Sequence, residues 1–224
     1  MNTEAFTGRA QAYTIARPGY PETAIEYIRS LAPPDAVFAD IGAGTGKFTE
    51  LLARHGYKIF AVEPNADMRE QLAITLAPFP RAKIVEGSAE ATALPDRCAD
   101  AIANAQALNR FDTEAFRSEC RRIGRDNPVV ITVYNDDETK NSARYKKSTG
   151  ALYRNPAIRE FPNPVYYTRE KWLLYYASME GVPTESDPGY REYFAEMNGK
   201  FDRENADGIL CENLITVVYC ERLE

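Results

Sequence analysis

Along the first 134 residues, apolar positions alternate between short continuous runs and stretches spaced three or four apart. The runs read as buried strands and the wider spacing as amphipathic helices. Pro21 can open a helix carrying Ile25, Ile28 and Leu31 on one face, and Pro33-Pro34 closes it. Val37 to Ile41 is a buried strand, and Phe48, Leu51 and Leu52 form a helical stripe ending near Gly56. Lys58 to Val62 is a second strand, and Asn65 can cap a helix holding Met68, Leu72 and Leu76. Further strands are expected at Lys83 to Val85, Ala101 to Ala103 and Val129 to Tyr134. Between the last two, Asp112 can cap a helix with Phe116, Cys120 and Ile123 on one face, stopped by Gly124. Strands and helices alternating at this spacing imply a parallel α/β sheet.

After Tyr134 the pattern changes. Residues 135–164 are polar, with Asn155-Pro156, Phe161-Pro162 and Asn163-Pro164. Two helices follow, about Thr168 to Met179 and about Pro188 to Phe201, and then a final strand, Leu214 to Cys220. One domain fits this order, with a core over 1–134, a cap over 135–210 and a returning strand over 211–224. Eight of the 14 tyrosines lie between Tyr145 and Tyr193, and they suggest either an aromatic wall over a site or the packing of a helical cap.

At 224 residues the chain can bury a core without disulfides or metals. Twenty-seven basic against 33 acidic residues leave a net charge of −6, which disfavours the basic stripe that nucleic acid requires. No apolar run approaches the roughly 18 residues that cross a bilayer, and the first residues lack a signal-peptide pattern. Cys98, Cys120, Cys211 and Cys220 form no C-x-x-C pair, and His55 is the single histidine. A zinc site, a His-based triad and a disulfide framework are therefore disfavoured, no metal is expected, and reduced thiols in a cytoplasmic protein are.

The stretch Asp40-Ile41-Gly42-Ala43-Gly44-Thr45-Gly46 follows a strand and opens a helix. Glycines there let backbone approach a ligand without Cβ clashes. A dinucleotide fingerprint places its third glycine where Lys47 stands, and a Walker loop fails because Phe48 follows Gly46-Lys47 and Ile41 occupies its first glycine position. What remains, an acid followed by G-x-G-x-G, is the pattern of S-adenosylmethionine sites in Rossmann-like methyltransferases. A second acid should end the next strand to accept hydrogen bonds from ribose hydroxyls, and Glu63 stands there, followed by Pro64-Asn65.

With these motifs the chain resembles the class I S-adenosylmethionine-dependent methyltransferases of the type-11 group, including the branch similar to trans-aconitate methyltransferases. Phe6-Thr7-Gly8, Ala12-Tyr13 and Arg17-Pro18-Gly19-Tyr20-Pro21 match the N-terminal stretch, and Asp40 to Gly46 the first motif. Val62 to Asn65 with Met68 match the ribose and adenine region. Gly87-Ser88-Ala89-Glu90 with Leu94-Pro95 match the segment at the adenine edge, and Ala105-Gln106-Ala107 with Phe111-Asp112 the motif after the fourth strand. Asp187-Pro188-Gly189-Tyr190, Phe201-Asp202 and Asp207-Gly208 echo the C-terminal part.

The resemblance implies a Rossmann-like fold, with a seven-stranded, mostly parallel sheet, helices on both faces, a small helical cap and an antiparallel strand near Leu214 to Cys220. It implies S-adenosylmethionine as cofactor, with S-adenosylhomocysteine as product, held by Tyr13, Arg17, Asp40, Gly42, Ala43, Gly44, Gly46, Glu63, Pro64, Met68, Ser88, Ala89, Glu90, Ala105 and Gln106. Tyr13 and Arg17 either close over the methionine end, with Arg17 pairing with its carboxylate, or belong to a surface arm. Gln106, Asn109, Arg110 and Tyr13 are candidates for lining the methyl site. Asn109 and Arg110 stand where the family carries a His-Trp pair, the family's L-K-P-G-G before strand five is here Ile123 to Asn127, and the segment between strand five and the cap helices is shorter than usual.

Asp136-Asp137-Glu138 is either a solvated loop or a holder for an amine or a divalent ion. No histidine falls near the site, which favours an acceptor already deprotonated, such as a carboxylate. An N-P-P-Y-like tetrad and a Pro-Cys pair are both absent, which further disfavours nucleic-acid substrates. The expected activity is methyl transfer to a small molecule at oxygen, of a carboxylate or a hydroxyl, by a monomer or homodimer with no membrane or nucleic-acid partner. The alternative is a protein of this fold that binds the cofactor without methylating, as a cyclisation or rearrangement enzyme or a regulatory module.

Overall fold

The computed structural model describes residues 8–137 and 143–223, with the side chains of 137, 143 and 144 left aside. Its strands are β1 (Val37–Ile41), β2 (Lys58–Val62), β3 (Ala82–Val85), β4 (Ala99–Ala105), β5 (Gly124–Asp137), β6 (Ala157–Tyr167) and β7 (Leu210–Arg222). They form one seven-stranded sheet in the order β3-β2-β1-β4-β5-β7-β6. The first five are mutually parallel, and β7 runs antiparallel between β5 and β6. This is the Rossmann-like α/β architecture expected from the sequence.

The central strands are apolar on both faces because both faces are covered. On one side, α2 (Glu22–Ser30) and α3 (Lys47–Arg54) bury Ile25, Ile28, Phe48 and Leu52 with Phe38, Ile131 and Val133. On the other, α5 (Thr113–Ile123) and α6 (Ala143–Leu152) bury Phe116, Cys120, Ile123 and Leu152 with Ile41, Ile102, Val130 and Tyr134. Alternate residues of β1 and β5 thus serve opposite layers, as the two-residue period of a strand requires. Two more helices, α7 (Arg169–Ala177) and α8 (Tyr190–Glu204), form a cap whose own core is Tyr167, Trp172, Phe201 and Leu210. The Trp172 indole N–H donates to the Met197 carbonyl at 3.0 Å. A short N-terminal helix, α1 (Ala10–Ala16), packs against α7, and α4 (Ala66–Leu76) lays Leu72 and Leu76 on Ala61 of β2.

Two sequence expectations change. The stretch 135–164, read as polar, contains most of β6, a full member of the sheet. Pro162 and Pro164 lie inside that strand, opposite Ile215 and Asn213. They are tolerated because β6 is an edge strand, and two prolines of the same parity can both turn their missing N–H groups away from β7. Gly124 does end α5, but in an extended conformation (φ −69°, ψ 140°) that runs straight into β5. Glycine is required there by crowding, since a Cβ would stand 2.4 Å from Pro128 Cγ and 2.7 Å from the Cys120 carbonyl oxygen.

The caps read from the sequence are present. Asn65 Oδ1 accepts the Met68 N–H at 2.9 Å, and Asp112 Oδ1 accepts those of Glu114 and Ala115 at 3.2 and 3.1 Å. Asp112→Ala should cost about 1 kcal/mol of stability, the usual worth of an N-cap, read as a lower urea midpoint at unchanged slope.

Candidate functional site

Strands β1 and β4 are neighbours, yet the chain leaves them toward opposite edges of the sheet. A crevice opens outside the carboxyl ends of strands at such a reversal, and the motif residues converge there. The loop after β1 carries Gly42, Gly44 and Gly46 at φ +73°, +58° and +89°. The three serve different ends. A Cβ on Gly42 would stand 3.0 Å from Ala107 Cβ, and one on Gly46 would stand 2.8 Å from Leu72 Cδ1. A Cβ on Gly44 would meet no protein atom within 4 Å, because that position faces the open crevice.

The crevice has two lobes that share Tyr13, Gly42, Gly44, Ala105 and Gln106. The smaller, about 70 Å³, is bounded by Glu63, Pro64, Asn65, Met68, Ala89 and Phe111, with Arg110 at its side. Glu63 is buried, and its carboxylate is pinned by backbone: Oε2 accepts the Gly44 N–H and Oε1 the Asn65 N–H, each at 2.9 Å. Burial raises its pKa against the lowering pull of those two bonds. Each oxygen keeps acceptor capacity beyond the bond it makes. Arg110 forms a 2.8 Å ion pair with Glu180, which bridges the turn Leu108–Arg110 and the end of α7.

The larger lobe, about 320 Å³, is walled by Tyr13, Tyr20, Tyr145, Tyr175 and Tyr176. Three of the eight clustered tyrosines therefore reach the site. Tyr153 and Tyr167 are buried in cores instead, and Tyr166 is exposed. Burial holds the Tyr20 phenol well above its ordinary range and pushes Tyr175 up to about 12. Asp40, at the carboxyl end of β1, is 1% exposed and lines the same lobe. Its Oδ2 accepts the Thr49 hydroxyl at 2.5 Å, while Oδ1 has no hydrogen-bond partner among the described residues. Burial raises the Asp40 pKa to about 7, opposed by the Thr49 bond and aided by the charge of Glu63.

Arg17 lines the larger lobe and is already engaged there. Its Nε donates to Ser178 Oγ at 2.9 Å, Nη2 donates to the Ser178 carbonyl at 3.2 Å, and the guanidinium lies 5.0 and 5.3 Å from the Tyr13 and Tyr175 ring centres. Gln106 adopts φ +59°, an uncommon conformation for a non-glycine residue, at the end of β4. Its Nε2 donates to the Asn135 carbonyl at 3.4 Å. Ala43 lines the larger lobe, and Gly46 packs behind the loop on Leu72.

Besides Gly46, three expected residues line neither lobe. Ser88 and Glu90 stabilise the loop that carries Ala89. The Ser88 Oγ accepts the Ala91 N–H at 3.2 Å, and Glu90 accepts the Asp112 N–H at 3.0 Å. Asn109 sits on the turn Leu108–Arg110, outside both linings. Asp136 borders the larger lobe, whereas the Asp137 side chain, Glu138 and the Phe6-Thr7 pair lie outside the described residues. Lys47, Asn135, Lys200 and Glu212 also border the larger lobe. Their places depend on pairing across the sheet and on cap docking, for which the local sequence carried no signal.

Residues 39–132 match the family described as a methyltransferase domain. An uncharacterized methyltransferase of Mycobacterium tuberculosis is 33% identical over 131 residues, which are 58% of this chain and 52% of that protein. The chain thus spans about half the length of that relative. Among solved structures, a candidate type II methyltransferase from Anaeromyxobacter dehalogenans superposes with a TM-score of 0.67 at 20% identity, over 92% of this chain and 97% of that one. A geranyl diphosphate C-methyltransferase from Streptomyces coelicolor, solved with Mg²⁺, geranyl diphosphate and S-adenosylhomocysteine, gives 0.52 at 13% identity, over 90% and 77%. Residues 39–132 are thus similar to the methyltransferase-domain family, and the chain shares the fold of these solved structures.

Proposed function

We propose that the protein is an S-adenosylmethionine-dependent methyltransferase that acts at oxygen on a small-molecule acceptor, in the simplest case a carboxylate. One observation carries the reading. The glycine loop runs between two acids of opposite disposition, Glu63 pinned by backbone in a narrow lobe and Asp40 with an unpartnered oxygen in a wide one. That donor set fits the cofactor. Glu63 has acceptor capacity left for ribose hydroxyls, Met68, Pro64 and Phe111 give apolar walls for an adenine ring, and Asp40 offers a carboxylate oxygen to a cationic amino-acid end. When bound, S-adenosylmethionine supplies a methyl group already activated on a sulfonium.

The residues of the chain then have positioning work to do. Gly44 leaves room where the two lobes meet, and Tyr13 and Gln106 border that same junction. Orientation and exclusion of water are the main protein contributions to such a displacement. Tyr20, Tyr175 and Tyr176 keep their protons at neutral pH, so they act as hydrogen-bond donors rather than bases. A carboxylate acceptor needs no proton removed, which matches a lobe of this composition. The motif resemblance to the trans-aconitate methyltransferase-like branch points to the same acceptor chemistry. The reading extends to a cytoplasmic monomer or homodimer that handles no nucleic acid.

Calorimetric titration with S-adenosylmethionine and S-adenosylhomocysteine, followed by assay of S-adenosylhomocysteine formation over small acids and phenols, tests the reading. Binding and turnover are expected. Binding without product across the panel would favour a protein that uses the cofactor otherwise, and no binding would overturn the assignment. Glu63→Ala should weaken cofactor affinity by about 1–3 kcal/mol, the scale of a hydrogen bond to a charged group. Gly44→Ala should abolish binding at a cost of about 1–2 kcal/mol in stability, since only the backbone conformation opposes the new methyl group. Asp40 gains its charge as pH rises through about 7, so affinity for the cationic end should tighten about tenfold from pH 6 to 8. Asp40→Asn should remove that part of the pH profile, seen by titrating both proteins in matched buffers.

A further inference from the structure

We propose that the face of the sheet at the amino ends of β2 and β3 is a second ligand site, for a small organic anion with a flat apolar body and a phosphate-like head. The site is independent of the cleft at the carboxyl ends of the strands. It arises from topology. Parallel strands are normally joined by a helix that covers one face of the sheet, but residues 86–98, which connect β3 to β4, contain none. Ala61 and Ile84 point to the α4 side. Phe60 is adjacent to Ala61 in β2 and therefore points to the other side, over which no connecting helix runs.

A pocket of about 440 Å³ lies there, within the range of small-molecule sites. Half-buried Phe60 and buried Val37 contribute its apolar lining. Its cationic side is built by strand register. Lys83 stands directly across from Phe60 in β3, and Lys58 is two residues before Phe60 in β2, so all three share one face. Arg81 and Arg125 line the same pocket. Arg125 is paired with Asp100 at 2.7 Å. Lys58, Arg81 and Lys83 are exposed, and among the described residues none of them has a salt-bridge partner.

Three unpaired cations around one apolar pocket, in a chain of net charge −6, form a local positive field that a bound anion would relieve. Their combined charge matches a doubly charged phosphate better than a single carboxylate. The aromatic floor favours a ligand with a ring that can lie on Phe60.

The test is calorimetric titration of the full chain with 1-naphthyl phosphate, with 1-naphthol and inorganic phosphate as half-ligands. The expected result is one-to-one binding tighter than either half, weakened about tenfold in Lys58→Gln/Lys83→Gln and by added salt. Both lysines are exposed, so the thermal midpoint of that variant should stay near the parent value, and Arg81→Gln provides a second variant if it does not. S-adenosylhomocysteine affinity should be the same in parent and variant, which separates this site from the cleft. Absence of naphthyl phosphate binding, or binding that the lysine and arginine variants leave unchanged, would overturn the proposal. Tighter binding of a polyglutamate peptide would also overturn it, in favour of an acidic protein partner.

Discussion

The carboxylate of Glu63 holds the glycine loop to the end of β2. One oxygen accepts the N–H of Gly44 and the other that of Asn65. Gly44 lies midway along the loop between β1 and α3, and Asn65 caps α4, so one side chain ties a strand end, a loop and a helix start together. A second tie runs through the backbone, where the N–H groups of Gly42 and Ala43 both donate to the Val62 carbonyl. With the loop fixed from behind, the exposed side at Gly44 becomes the floor shared by both lobes. The three positive-φ glycines make this path accessible, since a left-handed conformation costs other residues about 1–2 kcal/mol each.

The roof is assembled from parts distant in sequence. Arg9 donates to the carbonyls of Ala177, Met179 and Val182, and Arg17 reaches Ser178, so two arginines fasten the N-terminal helix to the end of α7. The turn that follows is held by a polar cluster on β5, β6 and β7. Asn135 and Asn163 both donate to the Gly19 carbonyl, at 2.9 and 3.0 Å, and Thr216 donates to Asn135 Oδ1 at 2.6 Å. This arrangement places Tyr13 and Tyr20 over the cleft. It also accounts for β6, whose polar character supplies Asn163 to the cluster.

Buried acids in this fold are balanced in two opposite ways. Glu119 receives Arg122 and the Thr92 hydroxyl and N–H, and these bonds hold its pKa near 2. Its contribution to stability is present above the ordinary carboxylate range and is lost as pH falls toward that value. Among the described residues Asp40 receives only Thr49, and it is raised to about 7, so its burial costs stability progressively as pH rises from the ordinary range through 7. Glu119 is satisfied within the fold and anchors the loop before β4. Asp40 is left incompletely satisfied at the cleft, where a ligand can complete it.

The sequence by itself determined the elements with strong local signals. Val37–Ile41 and Lys58–Val62 are strands at the expected residues, and Asn65 and Asp112 cap the helices assigned to them. The acid, the spaced glycines and Glu63 likewise marked the cleft, because a loop approaching a ligand constrains residue type at each position. Local pattern failed at β6, whose prolines and polar residues are compatible with a strand only because it lies at the edge of a sheet. Tertiary structure alone decided that Arg17 is taken by Ser178, that Asn109 falls outside the cleft, and that Tyr145, Tyr175 and Tyr176 reach it while Tyr153 and Tyr167 do not. Backbone preference and period are written within a few residues of each position, whereas a side chain's partner depends on which distant elements pack beside it.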